Sequence, residues 1–136
     1  MNFSTDSTAV REEICRIGQS LFARGYVHAS AGNISVRLDS GFLITPTDAC
    51  LGFLQPDELA FVDASGTQRS GHRASKTLAL HQAIYSAAQG LSPSTRCVIH
   101  THSTHLVALS LRNTPLTTDL GAELLPPITP YFVMKV

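Results

Sequence analysis

The sequence predicts a mixed α/β domain with antiparallel strands. Three observations carry that prediction: one amphipathic helix near the N-terminus, several short alternating strands joined by tight turns, and a second helix leading into an apolar strand. The chain has 136 residues, the length of one domain. Its 43% hydrophobic content can build a core, and its charged content is only 15%. The formal net charge is zero and there is no basic run. That pattern excludes a nucleic-acid or anionic-membrane footprint. No apolar run is long enough to span a bilayer, and the polar start Met1-Asn2-Phe3-Ser4 lacks a secretory core, so a cytoplasmic location is expected.

Residues 7–24 form the first expected helix. Val10, Ile14, Ile17 and Leu21 draw one apolar stripe, which needs a sheet or another helix to cover it. Asp6, Ser7 or Thr8 can cap its start, and Gly25 is the natural residue just past its end. Residues 33–38 alternate apolar and polar side chains, as a half-buried strand does. Asp39-Ser40-Gly41 turns the chain and Phe42-Leu43-Ile44 returns it as a hairpin. A helical turn is expected at residues 56–59 and a strand at 60–63. Ala64-Ser65-Gly66 then turns the chain into residues 67–69.

Ser75 is read as the cap of a second helix reaching about Ala88, with Leu78, Ile84, Tyr85 and Ala88 inward. Gly90 ends it, a loop covers residues 91–95, and residues 96–99 form the next strand. A helix is expected over 104–112, stopped by Asn113-Thr114-Pro115. Pro126, Pro127 and Pro130 exclude a helix in the last stretch, where residues 131–136 begin a strand. Cys15, Cys50 and Cys97 are far apart with no CxxC and read as small buried hydrophobes in a reducing compartment.

The chemistry concentrates after the apolar run Cys97-Val98-Ile99. His100, His102 and His105 are half of the chain's six histidines. Alternation along an extended strand turns His100 and His102 to one face. Neutral imidazole is a common ligand of Zn²⁺. Cys97 is three positions from His100 and faces the other way, and His105 falls on the following helix, so neither joins the pair. Two ligands do not close a site. Three other stretches suit a small anion: Gly32-Asn33 offers open backbone and an amide, Thr45-Pro46-Thr47 offers hydroxyls, and Ser75-Lys76 offers a hydroxyl and a cation at a helix start.

The order of these motifs resembles the class II aldolase/adducin family: a helix, Gly32-Asn33-Ile34-Ser35, Ile44-Thr45-Pro46-Thr47, Ser75-Lys76, then His100-Thr101-His102 after a strand. The resemblance runs from about Arg11 to Val136. Residues 100–105 (HTHSTH) and 125–136 (LPPITPYFVMKV) look most like the branch that decarboxylates 3-oxo-tetronate 4-phosphate. It implies a three-layer α/β/α fold around a mainly antiparallel sheet, assembled as a homotetramer. It also implies Zn²⁺ or another divalent metal on His100 and His102, and a phosphorylated keto sugar acid held by Gly32, Asn33, Thr45, Ser75 and Lys76. Tyr131 matches, more loosely, a tyrosine that relatives bring to the site.

Two departures follow from the same resemblance. The aldolases carry a glutamate acid/base four residues before a histidine of the second helix, and here that position is Thr77, before His81. A threonine hydroxyl cannot take a proton near neutral pH as a carboxylate can. Decarboxylation forms its enediolate by losing CO₂, without a base removing a proton, so it is expected over aldol cleavage. Thr77 and Tyr131 are then the candidate catalytic positions. The family's third histidine ligand lies downstream of the Pro-rich stretch, so the chain reads as one incomplete N-terminal domain, 1–136, of a longer lyase. The alternatives are a fuculose- or ribulose-phosphate aldolase or epimerase, an inactive remnant without a complete metal site, and, least expected, an adducin-like scaffold.

Overall fold

A computed structural model describes residues 7–90 and 92–110. The chain divides after Thr101 into two units, and each is described by itself. The expected stop at residues 113–115, the Pro-rich stretch, the strand at 131–136 and Tyr131 lie outside the described residues.

In the first unit, α1 spans Ser7–Ala23. Its stripe packs as its spacing predicts: Ile14 is buried, and Val10, Ile17 and Leu21 lie against the same core. That core is completed by Val27, Ile34, Leu43, Leu51, Leu54 and Leu59. Burying each such side chain is worth about 1.5–3 kcal/mol. Gly25 ends the helix at φ +74°. Its N–H donates to Phe22 O at 3.0 Å and the Tyr26 N–H donates to Leu21 O at 3.0 Å. These are the two bonds of a Schellman cap, whose left-handed residue is most easily a glycine. Arg11 fastens α1 to the loop below by donating to Pro56 O at 2.8 Å and Leu59 O at 2.7 Å.

Among the described residues five strands follow: β1 (Asn33–Leu38), β2 (Gly41–Ile44), β3 (Ala60–Asp63), β4 (Gln68–Ser70) and β5 (Cys97–His100). Short 3₁₀ turns at Leu51–Phe53 and Pro56–Glu58 link β2 to β3. The sheet order is β4-β3-β2-β1-β5, and every pairing is antiparallel. The first four strands form a meander, and β5 returns to the far side of β1. β4 starts one residue later than expected, because Thr67 O accepts the Asp63 N–H at 3.0 Å and belongs to the turn.

The two faces of the sheet carry different helices. Along β1, Ile34, Val36 and Leu38 point into the α1 core. Ser35 and Arg37 point the other way, toward α2 (Leu78–Ala88). The Tyr85 ring of α2 stacks on Phe42 with centroids 5.6 Å apart, and the Arg37 guanidinium lies 5.3 Å from its centre. The result is α1, sheet, α2: the expected three-layer α/β/α arrangement with an antiparallel sheet.

Several local expectations fail for clear reasons. α2 begins at Leu78, not beside Ser75, and its N-cap Thr77 makes no side-chain capping bond. Its buried residues are His81 and Tyr85, while Ile84 is 40% exposed, so hydropathy alone misplaces the inward face. β5 runs one residue further than residues 96–99, which makes His100 its last residue. Cys15, half-buried, packs against the α1 core as expected, whereas Cys50 is half-buried and Cys97 exposed. In the second unit, α3 spans Thr104–Ser110 and carries His105 on its exposed surface. Among the described residues no helix is long and apolar enough to cross a membrane.

Candidate active site

Antiparallel pairing of β1 with β5 sets Asn33 directly opposite His100. The Asn33 amide lies 3.3 Å from His100 Nδ1. Asn33 is buried, and its Oδ1 has no hydrogen-bond partner. Gly32 holds the chain at φ +84° beside this pair. A Cβ there would sit 2.6 Å from Val27 Cγ1 and 2.9 Å from His100 O. Only glycine supplies both that conformation and that close approach.

A chain of backbone bonds carries this corner to the Thr45 and Ser75 segments. Thr45 Oγ1 accepts the Ile34 N–H at 3.2 Å, and the Thr45 N–H donates to Ile34 O at 3.0 Å. Thr45 O accepts the Ser75 N–H at 3.2 Å. Next to it, the Thr47 N–H donates to Arg73 O at 2.9 Å, and Pro46 bridges Ala74. Backbone pairing therefore sets the Asn33, Thr45 and Ser75 segments side by side. The Thr45 hydroxyl, fully buried, already serves the backbone. Ser75 Oγ pairs with Thr77 Oγ1 at 2.8 Å. Lys76 is exposed. The expected placing of Ser75 and Lys76 on the first amides of α2 is thus corrected: they precede that helix in a turn closed by the Leu78 N–H donating to Ser75 O at 3.1 Å.

Thr77 is half-buried at the start of α2. His102 is half-buried and opens the second unit. Tyr131 lies outside the described residues. Among the described residues no group of three or more histidine, cysteine, aspartate or glutamate side chains could hold a metal ion.

Sequence reasoning passed over a buried polar cluster on the α2 face of the sheet. His81 is fully buried, and its Nδ1 lies 2.7 Å from Ser35 Oγ. Ser35 Oγ lies 2.8 Å from the Tyr85 hydroxyl, which donates to Ser35 O at 2.9 Å. One proton arrangement satisfies all three groups: His81 Nδ1–H to Ser35 Oγ, Ser35 Oγ–H to Tyr85 Oη, and Tyr85 Oη–H to Ser35 O. Its cost is the buried His81 Nε2, which has no partner. Burial, and secondarily the nearby His100, pull the His81 pKa down to about 4, so the ring is neutral at pH 7. The one available signal was the helical spacing of Thr77, His81 and Tyr85.

A separate cavity of about 420 Å³ is lined by Thr47, Asp48, Glu58, His72 and Arg73 together with apolar neighbours. None of Gly32, Asn33, Thr45, Ser75, Lys76 or His100 lines it.

The model of the class II aldolase and adducin N-terminal domain matches residues 12–136. The 3-oxo-tetronate 4-phosphate decarboxylase of Cupriavidus necator is 56% identical over 133 residues, 98% of this chain and 57% of that protein. The crystal structure of YgbL from Escherichia coli matches with a TM-score of 0.71 at 40% identity, over 94% of this chain and 58% of that one. The L-fuculose-1-phosphate aldolase of Thermus thermophilus matches with a TM-score of 0.63 at 32% identity, over 81% of this chain and 55% of that one. The chain thus spans little more than half the length of these relatives.

Proposed function

The chain belongs to the class II aldolase and adducin N-terminal domain family, and from that premise we propose that it serves a metal-dependent carbon–carbon lyase that decarboxylates 3-oxo-tetronate 4-phosphate. The observation that carries the reading is the buried Asn33 amide against His100, an imidazole held in place where β5 ends. A ligating histidine ordinarily donates its second ring N–H to an acceptor, and the Asn33 amide, whose oxygen and nitrogen exchange places by a half-turn, stands where that acceptor belongs. His100 and His102 are the proposed ligands, with imidazole nitrogens that suit Zn²⁺ or a related divalent ion. When bound, the ion supplies Lewis-acid polarisation of the substrate's keto group.

The remaining work falls to this chain's own residues. Gly32 and Asn33 border the substrate, and Ser75 and Lys76 offer a hydroxyl and a cation to its phosphate. As the carboxylate leaves, the C–C electron pair passes into the adjacent carbonyl, giving CO₂ and an enediolate. A proton then returns to carbon from Tyr131 or water. No residue has to remove a carbon-bound proton, which matches the threonine at position 77. The similarity to a fuculose-phosphate aldolase supports a second reading, aldol cleavage or epimerisation of a phosphorylated sugar. The family resemblance and the low charge support a homotetramer, and the widely spaced cysteines without a CxxC support a cytoplasmic location.

Supplying the Zn²⁺-loaded chain with 3-oxo-tetronate 4-phosphate, and separately with L-fuculose 1-phosphate, tests the choice. The expected outcome is CO₂ release from the first and no aldehyde from the second. Aldehyde release from fuculose 1-phosphate without decarboxylation would reverse it.

A further inference from the structure

We propose that Asn33 is the positioning residue of His100, its side-chain oxygen accepting the Nδ1 proton while its NH₂ group faces the acceptor oxygens of the substrate. The inference rests on the reading of His100 as a metal ligand and adds to it a tautomer, a holder and a reason for the orphaned amide atom.

The two residues meet because strand register fixes them opposite one another, with Gly32 pressed against His100 O on the same corner. The amide has two orientations, related by a half-turn about Cβ–Cγ with almost no change of shape. With the nitrogen toward Nδ1 at 3.3 Å, the ring nitrogen is an acceptor and the proton sits on Nε2. Oδ1 is then buried without a donor. The phosphate, carboxylate and keto oxygens of the proposed substrate can only accept, so none of them satisfies that atom; only its hydroxyl can donate.

The other orientation resolves both ends. Oδ1 accepts from Nδ1–H, which leaves the ring lone pair on Nε2, the form in which a histidine binds a cation. The NH₂ group takes the place of the orphaned oxygen, and its two donors suit an anionic substrate. Metal and substrate therefore select the same amide orientation. Asn33 is the hinge between them: one atom sets the histidine, the other reads the substrate.

Long-range ¹H–¹⁵N NMR of the histidine rings, with Zn²⁺ alone as the titrant, tests this in the chain and in the variants Asn33→Asp and Asn33→Leu. Aspartate keeps the acceptor and loses the donors, whereas leucine keeps the shape and loses both. The expected result is the Nδ1–H tautomer at His100 in the unsubstituted chain and in Asn33→Asp. Zn²⁺ affinity in Asn33→Asp should equal or exceed that of the unsubstituted chain. Asn33→Leu should lose the tautomer preference and bind Zn²⁺ about 10–100-fold more weakly, the usual cost of removing a ligand's orienting partner. Backbone amide shifts remote from β1 and β5 should be unchanged. An Nε2–H tautomer at His100 in the unsubstituted chain, or unweakened Zn²⁺ binding in Asn33→Leu, would overturn the proposal. An Nδ1–H tautomer with no Zn²⁺ response at His100 would instead remove the metal reading and leave the hydrogen bond standing.

Discussion

Replacing His100 with alanine is expected to lower CO₂ release from 3-oxo-tetronate 4-phosphate by about a thousand-fold while leaving the fold intact. The size follows from the charge stabilisation a bound ion gives a developing anion, several kcal/mol, at about 1.4 kcal/mol for each tenfold in rate. The fold should survive because His100 ends β5, and the side chain that β5 buries in the sheet is Val98. A half-buried strand-end residue of this kind costs on the order of 1 kcal/mol when truncated. The variant should therefore unfold close to the unsubstituted chain in a thermal melt yet fail in a CO₂-release assay. Undiminished turnover would remove His100 from the chemistry.

Stability should also fall steeply on mild acidification, through His81. Its folded pKa of about 4 lies below the ordinary value of 6.5, chiefly because burial disfavours the charged ring. A group depressed in this sense binds more protons when unfolded. Its contribution is complete above about pH 6.5, shrinks as pH falls toward 4, and is constant below that, where both states are protonated. The interval corresponds to roughly 3 kcal/mol, a large share of a domain's stability. Urea unfolding at pH 7, 5.5 and 4.5 reads the loss. The variant His81→Asn keeps an N–H near Nδ1 to meet Ser35 and cannot titrate, so its stability should be lower at pH 7 but less steep. Equal slopes for the two chains would assign the acid sensitivity to the carboxylates instead.

What the sequence made legible was local. The α1 stripe and Gly25 are set by helical period and by one left-handed residue, so both read directly. β1 and β2 read from alternation and a short turn. Gly32, Asn33 and His100 could be picked out from their chemistry: open backbone, a side-chain amide and an imidazole beside strand ends. The misreadings have a common origin in contacts distant along the chain. Ser75 reads as a helix cap, and its Oγ does accept the Thr77 N–H at 3.4 Å, but a turn closed by the Leu78 N–H on Ser75 O delays α2 to Leu78. The inward face of α2 is polar: His81 finds its partner in Ser35, 46 residues away. Ile84, the more apolar residue, faces outward. Thr45 has a backbone duty that strand alternation does not show: its hydroxyl accepts the Ile34 N–H and keeps its own proton to donate. Strand periodicity cannot say which side chain a neighbouring backbone will claim.

The most direct test of metal-dependent decarboxylation is CO₂ release from 3-oxo-tetronate 4-phosphate before and after the divalent ion is removed by a chelator and then restored. Turnover should disappear with the ion and return in proportion to the Zn²⁺ bound. Turnover that persists in a chain shown to hold no metal would contradict the proposed function.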